Sequence, residues 1–139
     1  MASIPRPLRE LVMARANGLC EYCQTPRAIV IEMEIDHIIP ESAGGQTVEY
    51  NLCLACAGCN GFKHDALAAV DPETIQPVSL FNPRTQNWDE HFKWADGSTI
   101  LLGLTPCGRA TIAKLKINRE RAVRARERWV KAGWHPPVR

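Results

Sequence analysis

Asp36 and His37 are neighbours at the end of an apolar, β-prone segment, just before a loop holding Pro40 and the pair Gly44–Gly45. Downstream, Asn60 and His64 are four residues apart, a spacing that shares one face of a helix. Asp36, Asn60 and His64 would offer two oxygens and a nitrogen. That is a partial shell for Mg²⁺ or a related divalent ion that keeps several waters. His37 would then serve as a base, since imidazole changes charge near neutral pH. Side chains of successive strand residues leave on opposite faces, so one shared site requires the backbone to bend at this point. The plainer alternatives are a turn-forming Asp36, a core His37 and an Asn60 that caps a helix.

Six cysteines accompany this set. Cys20 and Cys23 form one C-x2-C pair, Cys56 and Cys59 another. Two such pairs far apart in sequence suit a four-thiolate structural Zn²⁺ that closes a long loop. Cys53, Cys56 and Cys59 also resemble the start of an iron–sulfur run, but Lys63 stands where a fourth cysteine would be expected. Cys53 and Cys107 read as core residues, with Cys53 a potential substitute ligand. The expected compartment is the cytoplasm: no secretory leader is evident, and thiols there stay reduced.

The elements that must hold these residues can be read coarsely. Residues 7–17 predict a helix, with proline near its start and Gly18 after its end. Residues 28–35 predict a strand in which Ile29, Ile31, Met33 and Ile35 alternate with Val30, Glu32 and Glu34. "YNLCLA" predicts a short extended segment, and residues from Cys56 a turn leading into a helix that ends before Pro72. Residues 71–88 predict a wrapped loop, residues 91–104 a hairpin turning at Asp96–Gly97. Two final helices are expected over 108–117 and 119–132, with Asn118 capping the second.

The stretch "DHIIPESAGGQTVEYNLCLACAGCNGFK" resembles the HNH endonuclease motif of the ββα-metal class, with Asp36, His37, Pro40, Gly44, Gly45, Asn51, Cys56, Cys59, Asn60 and Lys63 in order. The likeness runs over roughly residues 18–66. It implies an α+β fold: a small ββα-metal core (residues 1–70) stapled by a zinc ribbon. Residues 71–139 would form an extension of hairpin and two helices on the same domain. It implies a metal-dependent endonuclease that hydrolyses DNA, double-stranded above all, to 5′-phosphate and 3′-hydroxyl ends. His37 would be the general base. Asp36 and Asn60 would hold one catalytic ion, Mg²⁺, Mn²⁺ or Ni²⁺, and Asn51 would fix the loop that aims His37. Lys63 would meet a phosphate, and His64 would be a ligand, a phosphate contact or a helix-surface residue. A single ion is expected because the motif offers one carboxylate.

Net charge is only +2, but it is unevenly spread. Residues 1–105 hold seven basic and 13 acidic residues, and residues 106–139 ten basic and two acidic. On a helix Arg121, Arg124, Arg128 and Lys131 form one stripe, and Ala122, Ala125, Trp129 and Ala132 another. The apolar stripe would dock the helix. The basic one would meet DNA phosphates or face water. No apolar run reaches the length of a membrane span. A non-catalytic zinc-ribbon module that binds nucleic acid or a protein is the alternative. It has no need for Asp36, His37 and Asn60 together.

Overall fold

The computed structural model describes residues 3–30 and 32–138. The chain is α+β, with five α-helices and three separate two-stranded antiparallel sheets among the described residues. It divides into two compact units. One holds the residues up to Leu67 together with Asn82–Thr85, the other Ala68–Phe81 and everything from Gln86 onward.

The first unit begins with α1 (Arg6–Arg15), which carries proline at its start and ends at Asn17 and Gly18, both in left-handed backbone. Val12 of α1 is buried against Leu52 and Leu54, with Ile4, Leu8, Met13, Met33 and Ile35 packed around them. This is the unit's apolar core, and it lies on one face of a hairpin. Strand β1 (Met33–His37) pairs with β2 (Leu52–Cys56) in the register Met33↔Cys56 to His37↔Leu52. The expected strand over 28–35 is thus displaced toward His37. Helix α2 (Ala57–Lys63) starts directly after Cys56, so β2 has no residues left to pair with Val30 or Glu32. Ile31 of the expected strand lies outside the described residues.

Helix α2 is shorter than the sequence suggested. It ends at Lys63, because His64 takes a positive φ of 50° that an α-helix cannot continue. Its N-cap is Cys56, whose Sγ accepts from the Cys59 N–H. Asn60 therefore sits mid-helix and is not the cap.

In the second unit β3 (Ala68–Val70), in a stretch expected to be helical, runs antiparallel to β4 (Pro77–Ser79), which lies in the expected wrapped loop. The turn between them is tied by Asp71, whose carboxylate accepts from the N–H groups of Glu73 and Thr74. A short helix α3 (Trp88–His91) leads into β5 (Phe92–Trp94), which pairs with β6 (Leu101–Gly103), the hairpin predicted from sequence. The two terminal helices are α4 (Pro106–Lys114) and α5 (Glu120–Lys131). Asn118 does not cap α5. Its side chain instead pairs with both backbone groups of Leu101 and so fixes the interhelical turn to β6.

Candidate functional site

The four paired cysteines converge. The Sγ atoms of Cys20, Cys23, Cys56 and Cys59 lie within 4.8 Å of one another, all buried. The Cys23–Cys56 separation is 3.7 Å. A tetrahedral ion with Zn–S bonds of ~2.3 Å needs sulfurs about 3.8 Å apart, so the cluster fits zinc. Hydrogen bonds from neighbouring thiols hold Cys23 well below the ordinary thiol range, while burial pushes Cys20 well above it. Cys53 is buried but outside the cluster, as expected, and Cys107 is half-buried in the second unit. The first cysteine turn is fastened to β2, where the Glu21 N–H donates to Leu54 O and Glu21 Oε2 accepts from the Leu54 N–H, both at 2.8 Å.

Residues after β1 form the loop that the glycine pair makes possible. Gly44 closes a 3-10 turn over Glu41–Ala43 with φ of 88°. At Gly45 a Cβ would fall 1.7 Å from the Ile39 carbonyl oxygen, so no side chain fits. Buried Asn51 laces this loop. Its Oδ1 accepts from the Ile39 N–H, and its Nδ2 donates to the carbonyls of Ile39 and Gln46.

The site residues fall on two faces of the hairpin. Alternation places His37 on the side of Leu52, its partner in register. Its Nε2 lies 2.9 Å from Thr47 Oγ1 and 3.8 Å from Glu41 Oε1. Among the described residues no hydrogen bond joins this ring to Asp36 or Asn60. Glu34 and Asp36 share the other face, toward α2. There the Asn60 Nδ2 donates to Glu34 Oε2, and Lys63 Nζ lies 3.0 Å from Asp36 Oδ2. Asn60 and Lys63, three apart on α2, thus meet two carboxylates two apart on β1.

Lys63 is turned inward, only 2% exposed. Besides Asp36 its ammonium donates to the carbonyls of His37 and Ile38, each at 3.3 Å. Burial pushes the Asp36 carboxyl up, against the opposing pull of Lys63. His64, beyond the end of α2, is exposed and does not continue the helical face of Asn60. Arg121, Arg124 and Arg128 are exposed on α5 and, with Glu120, line a shallow concavity of about 370 Å³ in the second unit.

Oxygen donors from Asp36 and the Asn60 amide, with Glu34 beside them, are chemically suited to a hard divalent ion. With its nitrogen spent on Glu34, the Asn60 amide keeps its oxygen for such an ion. Three residues around the site were not singled out from sequence. Glu34 was visible in the alternation Glu32, Glu34, Asp36. Tyr22 and Thr47 had no signal, because only the fold brings them to Asp36 and His37.

Residues 20–66 match the family model of the HNH endonuclease, about a third of the chain. The likeness is to an HNH domain. The match takes in both cysteine pairs and the stretch from Asp36 to Lys63. No curated protein matches the chain. HNH domains generally act on nucleic acids, and the four-cysteine cluster can hold zinc. No helix among the described residues is long and apolar enough to cross a membrane.

Proposed function

We propose that this protein is a metal-dependent HNH endonuclease that hydrolyses phosphodiester bonds of double-stranded DNA. The observation that carries the reading is the grip on the end of β1. Asn51 clamps Ile39 from the loop, Lys63 takes the carbonyls of His37 and Ile38 from α2, and Thr47 holds the ring. A histidine with no chemical task would not need its backbone and its ring fixed from three directions.

In this reading His37 takes a proton from a water attacking phosphorus, and the bond to the 3′-oxygen breaks to leave 5′-phosphate and 3′-hydroxyl ends. Asp36 and Asn60 hold the catalytic ion, Mg²⁺, Mn²⁺ or Ni²⁺, and Glu34 fixes which end of the Asn60 amide faces it. When bound, that ion neutralises charge on the transition state and the leaving oxygen. Asn51 keeps the loop in the shape that aims His37. Cys20, Cys23, Cys56 and Cys59 hold a structural zinc, and Arg121, Arg124 and Arg128 of the extension meet DNA phosphates.

One observation favours a second reading, a nucleic-acid-binding HNH module without catalysis. The imidazole of His37 and the carboxylate of Asp36 leave opposite faces of the hairpin with no bond between them. Nicking of supercoiled plasmid with Mg²⁺, Mn²⁺ or Ni²⁺ separates the two. The nuclease reading expects cleavage that falls on the order of 10²–10⁴-fold in His37→Ala. Equal cleavage by that variant removes His37 as the base. Salt-sensitive DNA binding with no cleavage under any of the three ions establishes the module.

A further inference from the structure

The two oxygens of Asp36 are not equivalent. The closest polar contacts that the described residues make with this carboxylate fall on Oδ2. Lys63 Nζ lies 3.0 Å from it, the Tyr22 hydroxyl donates to it at 2.9 Å, and Cys53 Sγ stands at 3.7 Å. Oδ1 has no hydrogen bond among the described residues, and the buried side chain keeps 5% of its surface exposed. The anchors are themselves fixed. Lys63 and Tyr22 are both buried, and the ammonium is held by the carbonyls of His37 and Ile38. Rotation of the carboxylate would break three contacts at once.

We infer that Tyr22 and Lys63 are positioning residues that hold Asp36 by Oδ2 and offer only Oδ1 to a cation. This rests on the reading of Asp36 as a ligand of the divalent ion, and it adds a selectivity device. A carboxylate tied at one oxygen can give a single bond. Mg²⁺ and Mn²⁺ complete a compact octahedron from single oxygens and water, whereas the larger Ca²⁺ gains from carboxylates that bind through both oxygens. The tethered Oδ2 therefore excludes the bidentate mode that favours Ca²⁺. Lys63 adds a fixed positive charge beside whatever cation binds, which weakens binding without discriminating by size.

The two anchors make separable predictions. Calorimetric titration of the zinc-loaded full chain with Mn²⁺ alone and with Ca²⁺ alone gives a ratio of affinities. Wild type is expected to prefer Mn²⁺. In Tyr22→Phe, which removes one hydroxyl and keeps the core volume, Oδ2 is loosened and the preference is expected to fall by on the order of tenfold, mostly through tighter Ca²⁺. In Lys63→Met both affinities rise and the preference falls as well. Zinc content and melting temperature report that each variant is folded, and Tyr22→Phe stands as the test if Lys63→Met does not fold. An unchanged Mn²⁺/Ca²⁺ ratio in Tyr22→Phe overturns the proposal, as does a wild type with no preference. Asp36→Asn separates this from the underlying reading. Mn²⁺ bound by Asp36→Asn as tightly as by wild type means that Asp36 is no ligand, and both ideas fall together. Binding lost in Asp36→Asn with an unmoved ratio in Tyr22→Phe leaves Asp36 as a ligand and rejects only the anchors.

Discussion

The side chain of Asn51 pairs with the backbone of Ile39 in both directions, accepting from its N–H at 2.9 Å and donating to its carbonyl at 3.0 Å. One amide thereby adds a rung beyond the backbone bond from the Ile38 N–H to Asn51 O, where the strand has already given way to the loop. Asn51→Ala orphans the Ile39 groups and the Gln46 carbonyl, each costing about 1–3 kcal/mol where water does not replace the bond. We expect a clear fall in melting temperature, and a larger proportional loss of DNA cleavage, since His37 lies two residues before the clamped Ile39. Asn51→Asp should restore the acceptor at the Ile39 N–H and recover only part of either.

Gly45 gives a sharper test of the same loop. A methyl group there would overlap the Ile39 carbonyl and stand 2.9 Å from the Asn51 Nδ2. Gly45→Ala should displace both and resemble Asn51→Ala in its activity. Gly44→Ala meets no obstructing atom and suffers only the left-handed backbone, a cost of about 1–2 kcal/mol. If the two alanines behave alike, close approach is not what selects glycine at 45.

Removal of zinc should unfold the first unit. Structural zinc binding is worth roughly 10–16 kcal/mol in small domains, as much as most domains have in total stability. Wild type should carry about one zinc per chain and no iron, hence no visible colour. Cys56→Ser should lose it and also weaken the cap of α2. The measurement is metal analysis with far-UV circular dichroism. All four tryptophans lie in the second unit, so their fluorescence reports that unit separately.

Asp71 sets an acid limit for the second unit. Arg109 binds its two oxygens in fork geometry, both at 2.9 Å, and holds the carboxyl well below the ordinary carboxylate range. A depressed folded-state value gives stability that is present above the unfolded value of about 4 and fades as pH falls through the folded value. Melting followed by tryptophan fluorescence should therefore weaken progressively below about pH 4. Asp71→Asn should melt lower at neutral pH and flatten that acid slope. A slope unchanged in Asp71→Asn would assign the acid limb to other carboxylates.

Neutralising Arg121, Arg124 and Arg128 together should weaken DNA binding and reduce its salt dependence by about one unit of log–log slope for each lost phosphate contact. Affinity unchanged in the triple glutamine variant returns the stripe to solvent. Arg126 must be spared in this experiment. It is buried, donates to the carbonyls of Thr99 and Ile117, and lies over the Trp94 ring. Its loss would loosen the docking of α5.

Much of this architecture could be read from residue order. Cysteine spacing announced the thiolate cluster, because a chelating turn needs a fixed number of residues. The α+β class followed from the resemblance to the HNH motif, and the later hairpin from Asp96–Gly97. What escaped has physical reasons. The end of α2 at Lys63 was hidden, since "HDALAAV" has good helix formers and it is the backbone of His64 that breaks away. The pairing of β3 with β4 was obscured by turn residues on both sides of three-residue strands. Lys63 was expected to meet a phosphate, but a buried carboxylate and two carbonyls draw its ammonium inside. Arg126 sits among solvent-facing arginines, and nothing in local order marks it as the one that packs.

Tyr22 lies between Cys20 and Cys23, so the phenol that touches Asp36 belongs to the same few residues that close the sulfur cluster. Oxidation of those thiols to a disulfide would reshape that turn and withdraw the hydroxyl from the carboxylate. Damage to the knuckle would thus not stay local: the hold on Asp36 loosens together with the sulfur cluster.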